Sequence, residues 1–222
     1  MQKSARPPYL GAWIGKCRFQ RPMTIKTHPR ESTTMPNQQP SAGSLAEIRR
    51  TLIPFYQQAL YAGLRALELD QKFDVLERID IRVEGIAEPV HSTIMGAFTQ
   101  STSSIAAVYS RLLLEFLGLK TGGSSSALVS TGKRRPGDIG VEMFCDRHGV
   151  AVPKIDPSIV AIFANSNNVA KAWIATCDFA GQRLAHITTD WRLNGADVRP
   201  MLALTFETLP IVLQKYFFDL LP

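Results

Sequence analysis

"HSTIMGAFTQSTSSIAAVYSRLLLEFLG" (residues 91–118) decides the fold. Ile94, Phe98, Ile105, Tyr109, Leu112 and Phe116 trace one apolar stripe at helical spacing over more than twenty residues. The intervening "TQSTSS" (99–104) is small and polar, the composition that lets a second helix approach closely. Gly118 closes the pattern as a C-cap, where a left-handed residue ends a helix.

Downstream of this helix, residues 120–137 read as a loop by composition. Its "GKRRPG" (132–137) lacks the spacing of a phosphate loop and puts arginine where that motif needs a hydroxyl for magnesium. Residues 138–155 read as a short helix and a turn. "DPS" (156–158) starts another helix, with Asp156 as cap and Pro157 in the first turn. From residue 169, Ala170, Trp173, Cys177, Ala180, Leu184 and Ile187 alternate spacings of three and four, a seam that faces another helix. A last helix runs from about Val198, with Pro200 in its first turn and Pro210 as a kink.

Upstream, "SLAE" (44–47) reads as a capping box that opens the first helix at Ser44, and Pro54 should kink or split that helix. Residues 70–86 fit two periods. Phe73, Leu76, Ile79 and Val83 suit a helix, whereas Ile79, Ile81 and Val83 alternate as in a strand. Helix is favoured because the neighbours are helical. The expected fold class is therefore all-α: a bundle of five or six helices, proline-kinked in the first and last, with no reliable strand pair. The organisation is a disordered basic tail over residues 1–42 and a single domain over 43–222, with a flexible loop at 119–137.

The formal net charge of +6 is localised. Residues 1–34 hold seven basic residues and Glu31, a net of +6. The rest of the chain carries 18 basic and 18 acidic residues and is neutral. The tail reads as a solvated arm, and a translation start at Met23 or Met35 would remove much of it. A nucleic-acid-binding reading uses Lys16, Arg18 and Arg21 of the tail with Lys133, Arg134 and Arg135 of the loop. No apolar run reaches the roughly 18 residues of a membrane span, so no membrane partner is expected. Three cysteines, widely spaced, suit reduced thiols in a cytoplasm rather than a disulfide framework.

The chemistry-bearing constellation is in "CDFAGQRLAHITTD" (177–190). Arg183 and His186 are three apart and so neighbours on a helix, and Asp190 follows a turn later. A histidine can move protons at a ribose hydroxyl while an arginine holds the scissile phosphate. The structural alternative is that both side chains meet a helix C-terminus, with Asp190 as their counter-ion. Cys145 and His148 have C-x-x-H spacing without a second half nearby, which falls short of a zinc site. No cofactor is expected.

The stretch "VAKAWIATCDFAGQRLAHITTDW" (169–191), with "PMLALTFETLPIVLQKYF" (200–217) and "LLLEFLGL" (112–119), resembles uncharacterised bacterial helical proteins that carry an "AHLT"-like motif before a tryptophan. More distantly it resembles the HEPN helical bundles (higher eukaryote and prokaryote nucleotide-binding domains). That resemblance implies a role in defence, stress or a mobile element, exercised through binding to a protein partner or to a second copy. It also implies the alternative of a metal-independent endoribonuclease using Arg183 and His186. Only two residues separate these, a shorter interval than the HEPN pattern has.

Overall fold

The computed structural model describes residues 40–122, 127–184 and 197–222. The expected helix from residue 91 starts four residues later, as α3 (Met95–Leu117), and its buried side follows the apolar stripe only in part, with Phe116 buried and Tyr109 packed against the core. Ile94, Ile105 and Leu112 are exposed, while Thr99, Ser103, Ala106, Ala107, Ser110, Leu113, Leu114 and Leu117 are buried. Small size explains the buried polar positions. Ser103 and Ser110 return their hydroxyls to the carbonyls of Thr99 and Ala106, so they bury without an unmet donor. The face left behind is flat enough for α2 (Ile53–Lys72) to lie close against it. A Cβ added at Gly63 of α2 would stand 2.4 Å from the Cβ of Ala106 and 2.9 Å from the Phe206 ring.

The first helix starts earlier than "SLAE" suggests. Ser41 accepts from the Ser44 amide and caps α1 (Ala42–Glu47). A π-helical stretch, Ile48–Leu52, joins α1 to α2, and Pro54 sits in the first turn of α2, where a missing N–H costs little. Gly118 caps α3 in the left-handed region at φ 107°, as its position predicts.

Two antiparallel hairpins correct the expectation that no strands pair. β1 (Arg78–Ile81) pairs with β2 (His91–Ile94), which leads directly into α3. The helical reading of 70–86 ends at Lys72 because Asp74 turns its carboxylate onto the Leu76 amide at 2.8 Å, and Glu84–Gly85 then form a turn with Gly85 at φ 83°. β3 (Leu119–Thr121) pairs with β4 (Leu128–Ser130) inside the segment read as a flexible loop. Between residues 138 and 155 there is one 3₁₀ turn, Val141–Met143, and a bridge between Cys145 and Ala151. Asp156 caps as predicted, though the helix it starts, Pro157–Ile162, is 3₁₀.

α4 (Ser166–Asp178) carries the seam. Trp173, Cys177 and Ala180 are buried, but Leu184, after a π turn at Phe179–Arg183, is exposed, so the seam stops one turn early; Ile187 lies outside the described residues. α5 (Arg199–Tyr216) packs on α4 and α2 and contains Pro210. Buried hydroxyls register α4 against α5. Trp173 Nε1 donates to Thr208 Oγ1 at 3.0 Å, and Thr176 and Thr205 share a hydrogen bond of 2.8 Å. At the other end Phe116, Phe144 and Phe217 meet edge to face, with centroids 5.0 to 5.8 Å apart. The protein is thus mostly helical, with five α-helices among the described residues. None of those helices is long and apolar enough to cross a membrane.

Candidate functional site

Lys16, Arg18, Arg21, His186 and Asp190 lie outside the described residues, and of Arg183 only the backbone, in the π turn after α4, is described. Trp191 also lies outside them. Lys133 and Arg135 are exposed.

Arg134, between them, is engaged inside the protein. Its guanidinium forks onto Glu142, with Nε to Oε1 at 2.7 Å and Nη2 to Oε2 at 2.9 Å. It also donates to the carbonyls of Glu115 and Phe116, both at 2.9 Å, in the last turn of α3, where the helix dipole favours a cation. Lys154 adds its ammonium to Glu142 at 3.3 Å and to the Gly132 carbonyl at 3.0 Å. Gly140 leaves room for this arrangement, since a Cβ there would overlap the guanidinium. Burial pushes the Glu142 carboxyl up, but hydrogen bonds from Arg134 and the backbone, the arginine's charge and Lys154 outweigh it and hold the group below its ordinary value. A nucleic-acid contact by Arg134 would have to give up these bonds.

A second charged cluster fastens the start of α5. Arg199 donates to Asp197 at 2.8 and 2.9 Å and to Asp70 of α2 at 2.9 Å, and Asp70 accepts from Thr99 of α3 at 3.0 Å. Every partner is accounted for within the fold, so the cluster is a clasp joining three helices. Cys145 and His148 are both exposed, and no group of three or more histidine, cysteine or acidic residues among the described residues is placed to hold a metal ion. Burial pushes the Cys177 thiol up to about 12, which makes it an inert core group rather than a nucleophile.

What the structure does concentrate is apolar surface. Seventeen large apolar side chains are exposed among the described residues, and eight of them fall between residues 73 and 94: Phe73, Val75, Leu76, Ile81, Val83, Ile86, Val90 and Ile94. Scattered exposed leucines are ordinary, whereas eight exposed apolar side chains on one short segment are a local concentration. Leu76 is 73% exposed. This segment is an arm that holds itself together. Gly96 and Met95 donate to the carbonyls of Val75 and Glu77 at its base, both at 2.8 Å. Ser92 donates to Asp80 at 2.6 Å across the strands, and Arg82 donates to the Ala87 carbonyl at 2.6 Å at the tip. Among the described residues β1 and β2 pack chiefly on each other, and β2 also touches α3, into which it leads. The sequence did carry the signal: the alternation of Ile79, Ile81 and Val83 ahead of Glu84–Gly85 is a strand and its turn.

Comparison with protein-family models, with curated proteins and with solved structures finds no match.

Proposed function

We propose that this chain is a protein-interaction module, a helical bundle that works by presenting the arm 73–94 to another protein surface. The observation that carries the reading is the clustering of eight exposed apolar side chains on that one arm. A two-stranded hairpin is marginal in water on its own, and burying its apolar face against a third surface is what ordinarily stabilises such an element. The helices supply a rigid base, because β2 continues into α3 and α3 is held by α2 along its buried length.

The test is the full chain carrying Leu76→Ser, Ile86→Ser and Val90→Ser together, compared with the unaltered chain by cross-linking in its source cells. Loss of a defined cross-linked species at unchanged helix content supports the reading. An unchanged set of species overturns it.

A further inference from the structure

We infer that the arm's partner is a second copy of this chain, joined by antiparallel pairing of β1 with its counterpart across a two-fold axis at Ile81. This rests on the reading of the arm as an interaction surface. Three observations carry it.

The first is an open edge with known polarity. The carbonyls of Glu77 and Ile81 accept from Met95 and Val90, on the β2 side. Backbone groups alternate along a strand, so those of Arg78 and Asp80 in β1 point to the opposite edge, and Arg82 follows directly on the end of β1. Among the described residues β1 has one strand neighbour, β2, and no strand lies on that outer edge.

The second is charge. Arg78, Asp80 and Arg82 alternate in sign along this edge and touch each other weakly, at 3.6 and 3.7 Å. A two-fold axis at Ile81 sets Asp80 opposite Arg82 of the second copy, and Arg82 opposite its Asp80. An axis at Asp80 would set two aspartates face to face, and one at Arg82 two arginines. An axis at Ile79 would also set Arg78 opposite Asp80, but it would set the apolar Ile81 against Glu77. Like charges directly opposite exclude the axes at Asp80 and Arg82, and the mismatch of Ile81 with Glu77 disfavours the axis at Ile79.

The third is the apolar face. In the same register Ile81 meets Ile81 and Ile79 meets Val83, so each copy extends the other's strip of branched side chains. Both arms then become parts of one four-stranded antiparallel sheet, in which the outward amides and carbonyls of Asp80 and Arg82 pair across the axis. The charge pairs are exposed, so they set register and contribute little to affinity.

Sedimentation of the purified full chain over a range of concentrations is the first measurement. The expected result is a species of two chains that dissociates on dilution; a single chain at every concentration overturns the inference. The register is tested by Asp80→Arg and Arg82→Asp, each expected to raise the dissociation constant at least roughly tenfold by setting like charges face to face. The double variant exchanges the charges and should return to within roughly threefold of the original. Single variants that dimerise normally, or a double variant as weak as the singles, overturn the pairing. Arg82→Pro removes one outward N–H and leaves the β1–β2 bonds in place, so it should abolish the dimer at unchanged helix content. The two readings fail differently. A monomer whose cellular cross-links still depend on Leu76, Ile86 and Val90 refutes self-pairing alone, whereas cross-links indifferent to the arm refute the interaction module.

Discussion

Arg134 shows what a run of identical residue types conceals. "KRR" (133–135) reads as a uniform basic patch, yet one of its three side chains is drawn inside and two are left in water. The choice depends on Glu142, eight positions on, and on two carbonyls of α3 that lie 18 and 19 positions back. No local pattern holds that information. Arg134→Ala removes the fork on Glu142, which keeps only Lys154 as a side-chain donor, and one donor to each of the Glu115 and Phe116 carbonyls, and should cost about 2 kcal/mol in chemical denaturation; Lys133→Ala and Arg135→Ala should each cost under about 0.5 kcal/mol. The Glu142 carboxyl is held below its ordinary 4.5, so the stability it contributes is present above that pH and is lost as pH falls through the lowered value. The stability difference between the natural chain and Glu142→Gln should therefore be largest near neutrality and vanish in acid, as measured by urea midpoints across that range. Cysteine accessibility separates two thiols in the same way. Cys145 is exposed and should be alkylated in the native protein at neutral pH, whereas Cys177, buried and pushed up to about 12, should react only on unfolding, as read by mass spectrometry.

At the scale of elements, the helices were legible and their faces were not. α3 offers apolar side chains around most of its circumference, so periodicity could locate the helix without identifying the buried side. What decided the side was smallness. "TQSTSS" was readable as a close-approach surface, and Thr99 and Ser103 are indeed buried, while the bulky Ile105 and Leu112 turn outward. Gly63→Ala tests that approach: a methyl 2.4 Å from Ala106 forces the two helices apart and should cost about 2 kcal/mol, seen as a lowered denaturation midpoint. The arm was misread for a different reason. Phe73, Leu76, Ile79 and Val83 satisfy a helical period while Ile79, Ile81 and Val83 satisfy a strand period, and the helical neighbours tip the reading towards helix against the chain's own turn signals. Asp74 and Gly85 tip it the other way. The same ambiguity does not arise for α4, where Trp173 and Cys177 have no strand reading and are buried as their spacing predicts.

On the scale of the whole chain, the net charge and the exposed apolar side chains fall in different stretches of sequence. All of the formal net charge falls within residues 1–34, whereas the densest exposed apolar surface among the described residues is the arm. Association through the arm is accordingly expected to survive about 1 M salt, which screens exposed ion pairs and does not weaken apolar burial, while any electrostatic attachment to nucleic acid would be lost. Sedimentation at low and high salt checks this directly. The Arg134 fork has a consequence on this scale too. The guanidinium that satisfies the end of α3 is delivered by a segment that must itself be in place, pinned by Glu142 and Lys154. Neither can open alone without stranding the other's polar groups. The last turn of α3 and residues 131–142 should then form one cooperative opening unit, and their amides should exchange hydrogen for deuterium together, at a common free energy, although the bonds that join them span almost twenty positions of chain.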